Sequence, residues 1–127
     1  MIVGVGFDLV EIERLEQLLD GKGGRALARL FTDGEVAYAM AHARPAMHLA
    51  ARFAAKEASF KALSGSESAR LIGWKEIEVV SRTGHSPELL LHGRALQRAE
   101  VLGVHRHWLT LSHTEKTAGA VVVLEAD

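Results

Sequence analysis

Apolar residues recur along this chain with two periods, and the change of period divides it into elements. Ile2, Val3 and Val5 form a short β-branched run that reads as a strand. From Glu11 to Leu19 the apolar positions Ile12, Leu15, Leu18 and Leu19 fall three and four apart, which predicts an amphipathic helix ended by Gly21, Gly23 and Gly24. Arg25 to Phe31 predicts another turn or two of helix, and Thr32-Asp-Gly-Glu35 has the spacing of a capping box. Pro45 suits the first turn of a long helix running to about Leu63, stopped by Ser64-Gly65. Its apolar stripe is Leu49, Phe53, Phe60 and Leu63, and six alanines at 50, 51, 54, 55, 58 and 62 let another backbone approach closely.

Beyond a loop at Ser64-Gly-Ser-Glu-Ser68, Trp74 to Val80 and Glu88 to Leu91 read as two strands, and Gly93 to Leu102 as a helix. Leu109 to Ser112 and Ala118 to Leu124 complete a hairpin. The order β-α-α-α-β-β-α-β-β, with mostly antiparallel strands, predicts an α+β fold. No linker, repeat or low-complexity tract interrupts it, so residues 1–127 are expected to form a single domain.

Composition narrows the function. The formal net charge is −1, with 15 basic and 16 acidic side chains, so no global field attracts nucleic acid. The absence of cysteine excludes disulfide scaffolds, thiolate metal sites and cysteine nucleophiles. No apolar run approaches the roughly 18 residues of a membrane span, and there is no leader pattern at the N-terminus. The expected location is therefore the cytoplasm.

The chemistry-bearing residues concentrate in Arg52-Phe-Ala-Ala-Lys-Glu-Ala-Ser-Phe-Lys61. At helical pitch Glu57 and Lys61 share a face, and Arg52 and Lys56 share another. A carboxylate and bases so placed can hold a divalent cation and anionic phosphates. Asp8, near the end of the first strand, is the natural second carboxylate, since magnesium needs only one or two beside substrate phosphates and water. Taken alone, Glu57 with Lys61 reads first as a surface i,i+4 pair worth a few tenths of a kcal/mol, and Asp8 as a turn or capping residue.

Four ordered blocks bear on that choice: Val5-Gly-Phe-Asp-Leu-Val-Glu-Ile-Glu-Arg14, Phe31-Thr-Asp-Gly-Glu35, Arg52-Phe-Ala-Ala-Lys-Glu-Ala58 with Lys61, and Leu111-Ser-His113. In order and interval this pattern resembles the bacterial holo-acyl-carrier-protein synthases, the small members of the 4'-phosphopantetheinyl transferase superfamily, from about Ile2 to Glu125. The resemblance implies a long central helix packed on the sheet and a homotrimer with active sites between subunits. It implies Mg2+-dependent transfer of 4'-phosphopantetheine from coenzyme A to a serine of acyl carrier protein, with release of adenosine 3',5'-bisphosphate. By the same resemblance Asp8 and Glu57 hold the metal and Lys61 acts with them on the phosphates. Arg52, Lys56, Lys61, Ser112 and His113 contact coenzyme A, and Arg14 meets the acidic carrier protein, with Arg25 and Arg29 extending its patch.

Two positions depart from the pattern. Val10 stands where larger relatives carry a further acid, and Phe7 where many small ones carry threonine or another small residue. Of the seven histidines only His113 is expected at the site; His42, His48, His85, His92, His105 and His107 read as surface or turn residues. Two other readings use the same residues: a non-catalytic module binding coenzyme A or carrier protein, and a metal-dependent nucleotide hydrolase with water as nucleophile.

Overall fold

A computed structural model describes residues 1–21 and 23–127. The first strand, β1 (Ile2–Glu11), leads into α1 (Ile12–Asp20), α2 (Gly24–Leu30), α3 (Asp33–Met40) and the long α4 (Pro45–Leu63). Two short 3-10 turns, Ser68–Leu71 and Trp74–Glu76, precede β2 (Ile77–Val80) and β3 (Glu88–Leu91). The chain closes with α5 (Gly93–Val101), β4 (Val104–His113) and β5 (Thr117–Ala126). Four helices follow β1, one more than the sequence pattern suggests, because the capping box at Thr32 and Glu35 opens a helix of its own. Trp74–Glu76 is a 3-10 turn rather than strand.

All pairings are antiparallel: β1-β5-β4 form one sheet and β2-β3 a small second one. β1 is longer than its β-branched run because β5 pairs with it as far as Glu11↔Thr117, and this puts Asp8 within the strand opposite Ala120. Side chains alternate across the sheet. Gly4, Gly6, Asp8 and Val10 face α4, while Val5, Phe7 and Leu9 face away and are exposed.

Small residues let α4 lie close against β1. A Cβ on Gly4 would overlap the Ala62 carbonyl oxygen, and one on Gly6 the Ala58 carbonyl oxygen. On the other side of the contact the six alanines of α4 are buried, as are Ala118 and Ala120 on β5. The core continues through Val122 and Leu124 on β5 and through Leu49 and Leu63 at the two ends of α4. Among the described residues no helix is long and apolar enough to cross a membrane.

Candidate active site

One flank of α4 carries the acid pair. Asp8 projects from β1 toward the helix, and the Lys61 ammonium donates to its Oδ1 at 3.0 Å and to the Phe7 carbonyl oxygen at 3.0 Å. Glu57, one turn before Lys61, is half-buried. Burial first, and then the negative charge of Asp8, raise its carboxyl above the usual glutamate range, opposed by Lys61 and Arg14. Two carboxylates therefore converge, with the Lys61 ammonium beside them. Among the described residues no three acids or histidines gather at a metal-binding distance. A cation here would rest on two carboxylates, an all-oxygen donor set that suits Mg2+ completed by water and phosphate.

Aromatic rings flank Glu57 along the same helix face. Phe53 and Phe60, four residues before and three after it, both pack on Trp74, stacked at 5.1 Å and edge-on at 4.9 Å between centroids. The Arg14 guanidinium lies over Phe53 at 5.7 Å. Trp74 is shared by two cavities: one of about 790 Å3 under the loop from Ser64 to Arg70, and one of about 370 Å3 beside Arg14 and Leu18.

The other flank carries a second cluster. Arg52 is five residues before Glu57, which at about 100° per residue turns the two side chains about 140° apart around the helix. Its guanidinium stacks on Tyr38 at 4.2 Å, donates to the Ser81 hydroxyl at 2.7 Å and to the His48 carbonyl oxygen at 3.1 Å. The side chain is almost wholly buried, yet its Nε has no hydrogen-bond partner. It lines a cavity of about 160 Å3 together with Tyr38, His48, Ser81, Ser112 and His113. Arginine, imidazoles and hydroxyls around so small a space suit a phosphate group.

Two acids and a lysine thus stand on one flank of a helix, with a phosphate-sized basic cavity on the other. The profile of the 4'-phosphopantetheinyl transferase superfamily fits residues 4–122. The chain belongs to this superfamily. It is 42% identical to the holo-[acyl-carrier-protein] synthase of Koribacter versatilis, covering 98% of this chain and 99% of that protein. To the synthase of Moorella thermoacetica it is 46% identical, covering 95% and 92%. Among solved structures, the holo-[acyl-carrier-protein] synthase from Neisseria meningitidis superposes with a TM-score of 0.83 at 30% identity, covering 98% of this chain and 99% of that one. The synthase from Bacillus anthracis, in complex with CoA (3',5'-ADP), gives 0.77 at 32%, covering 100% and 99%.

Within this superfamily member the structure gathers Asp8, Glu57 and Lys61 in one place and Arg52, Ser112 and His113 in another. Arg14 is exposed on α1 beside the first group, and Arg25 and Arg29 are exposed on α2. Lys56 departs from expectation. It is fully buried, its ammonium 2.8 Å from Glu35 Oε1 and donating to the carbonyl oxygens of Trp74 at 3.0 Å and Ile77 at 2.5 Å. Its three donors are spent inside the protein, which removes it from the bases open to coenzyme A.

Tyr38, His48, Ser81 and Trp74 line these sites without standing out in the sequence. For two of them a signal existed: Tyr38 and His42, and likewise His48 and Arg52, are four apart, and the intervening turn folds the two pairs together.

Proposed function

We propose that Asp8, Glu57 and Lys61 form the reaction centre by which this protein acts as a holo-acyl-carrier-protein synthase. The observation that carries this reading is the convergence of the two carboxylates and the lysine beside α4, in a chain that matches the superfamily over residues 4–122. A serine oxygen of the carrier protein forms a bond to the β-phosphorus of coenzyme A. The bond from that phosphorus to the bridging oxygen breaks, and adenosine 3',5'-bisphosphate leaves with the electron pair.

Such a transfer depends on positioning and on neutralising charge more than on a protein nucleophile. Mg2+ held by Asp8 and Glu57 would supply Lewis-acid neutralisation of the pyrophosphate. Lys61, free to turn from Asp8 to the substrate, donates to the phosphates. Glu57, with its raised proton affinity, accepts the serine proton. Arg52, Ser112 and His113 take a phosphate at the nucleotide end of coenzyme A. Arg14, exposed at the rim, pairs with carboxylates of the acidic carrier protein and mainly speeds association.

The two clusters lie on opposite flanks of α4, so one coenzyme A reaches both most directly if they come from different subunits. The outward face of β1 and β4 supports such an assembly: Val5, Phe7, Leu9 and Trp108 are each more than half exposed on one side of the sheet. An apolar strip of this kind marks an interface, which fits a homotrimer with sites between its subunits. The protein is assigned to the cytoplasm, where its co-substrate and carrier protein are made, as one domain over residues 1–127.

The deciding experiment is intact-mass spectrometry of apo acyl carrier protein incubated with this protein, coenzyme A and Mg2+, beside a sample with chelator. A gain of one phosphopantetheine, lost with chelator, is expected. Bisphosphate released without carrier protein would instead indicate a hydrolase, and coenzyme A binding with no mass gain a binding module.

A further inference from the structure

The small cavity beside Arg52 holds more titratable groups than recognition of a permanent anion requires. From α3 comes Tyr38, from α4 itself His48 and Arg52, and from β4 His113, while His42, from the turn before α4, packs on the Tyr38 and His48 rings outside the lining. The segment between β2 and β3 adds only Ser81 and Pro87, neither of them titratable. Two imidazoles and one guanidinium thus line one space, with a third imidazole packed on the first, and among the described residues no carboxylate lines it.

His48 stands among aromatic rings at the cavity wall. Its ring lies 4.5 Å from that of His42 and 5.5 Å, edge-on, from that of Tyr38, while His42 Nδ1 lies 2.6 Å from the Tyr38 carbonyl oxygen. One turn on, Arg52 bonds the His48 carbonyl oxygen and stacks on the same tyrosine. The imidazole is therefore propped at the cavity wall with little freedom to turn away. The buried Arg52 Nε, which lacks an acceptor, is a second sign that the cavity is built for an anion.

We propose that His48 is a specificity-determining residue for the 3'-phosphate of coenzyme A, binding that phosphate as imidazolium so that preference for coenzyme A over 3'-dephospho-coenzyme A strengthens as pH falls. The inference rests on the transferase reading of the site and adds to it the residue that senses the phosphate. Without a ligand, burial first, and then His42, Arg52 and His113, lower the proton affinity of His48, so the ring is neutral at neutral pH. A phosphate in the cavity reverses that balance by placing negative charge among these groups. Binding then takes up a proton at His48, and a ligand lacking the 3'-phosphate does not cause this uptake. Arg52 supplies the constant part of the attraction, and His48 the part that varies with pH.

The test measures KM for coenzyme A and for 3'-dephospho-coenzyme A, with apo acyl carrier protein as acceptor, from about pH 7.5 to about pH 6. Wild type is compared with His48→Phe, which keeps an aromatic ring against Tyr38, and with His48→Gln. Effects on the carrier protein or the reaction centre cancel in the ratio of the two KM values. In wild type the ratio of dephospho to parent is expected to rise about threefold or more over this range, against a ceiling of tenfold per pH unit for uptake of one whole proton. In both variants it should stay flat or fall, because a phosphate monoester loses its second charge near pH 6. A wild-type ratio that does not rise overturns the proposal by itself, as does a rise shared by the variants. No transfer from coenzyme A at any pH would fail the transferase reading instead.

Discussion

Lys56 and Glu35 form an ion pair of 2.8 Å with neither side chain open to solvent. Glu35 does three things there. Its Oε1 also accepts from the Thr32 N–H, closing the capping box of α3, and its Oε2 accepts from the Val79 N–H at the small sheet. The pair therefore pins α4 to α3 and to β2, and so fixes the helix that carries Arg52, Glu57 and Lys61.

Removing one partner of such a pair leaves a buried charge uncompensated, which costs about 3–5 kcal/mol. Glu35→Gln is expected to lose stability on this scale, read as a lower urea midpoint at unchanged slope. The double variant Glu35→Gln with Lys56→Met should recover much of the loss, since no charge is then left unpaired. A single variant within about 0.5 kcal/mol of wild type would show that the pair does not hold the helix.

Glu57 is expected to trade stability for function. Its carboxyl titrates above the unfolded value, so the fold disfavours the ionised form. The resulting cost is present at neutral pH. It disappears as pH falls through the folded value toward the unfolded one, where the native state holds the extra proton. Glu57→Gln should therefore melt no lower than wild type near pH 7.5, with any advantage vanishing in acid, while transfer is abolished. Added Mg2+ should raise the melting temperature of wild type and not of the variant. Equal Mg2+ stabilisation of both proteins would remove Glu57 from the metal site.

Gly6 controls how closely α4 approaches the acid on β1. Its position is closed by the Ala58 carbonyl oxygen, a backbone atom that cannot turn aside, and Asp8 follows two residues later on the same face. Gly6→Ala should push the helix off the sheet, at a cost of about 1–3 kcal/mol, and move Glu57 and Lys61 away from Asp8. The Gly24→Ala control, where no atom lies within 4 Å of the added Cβ, should leave activity intact. Full transfer by Gly6→Ala would mean that the spacing of β1 and α4 does not set the site.

Much of this arrangement is legible in the sequence. Pro45 and Ser64 bracket α4 as expected, and its alanines foretell the close contact that Gly4 and Gly6 complete. The four blocks carry the fold and the activity because they match a family in order. The length of β4 is hidden because His105, Arg106 and His107 are polar; only pairing with β5 makes that stretch a strand. Lys56 is misread because its partner Glu35 lies 21 residues away and looks like a capping residue alone. His48 is passed over because its spacing of four from Arg52 is only half of the signal; the approach of α3, which brings Tyr38 and His42 against it, is not encoded locally.

The proposed assembly of the site across subunits has a consequence that mixing can reveal. If Asp8 of one subunit acts with His113 of its neighbour, a trimer joining Asp8→Asn and His113→Ala chains contains some sites with both residues intact. A head-to-tail ring of randomly mixed chains gives the favourable ordered pair at about a quarter of its interfaces. Two inactive preparations, unfolded and refolded together in equal amounts, should thus recover up to about a quarter of wild-type transfer, while each refolded alone stays inactive. Adding Phe7→Glu to both chains places a charge in the exposed apolar strip of β1. It should yield monomers by light scattering and abolish the recovery. If both residues served a site within one chain, every mixed site would carry a defect and mixing would restore nothing.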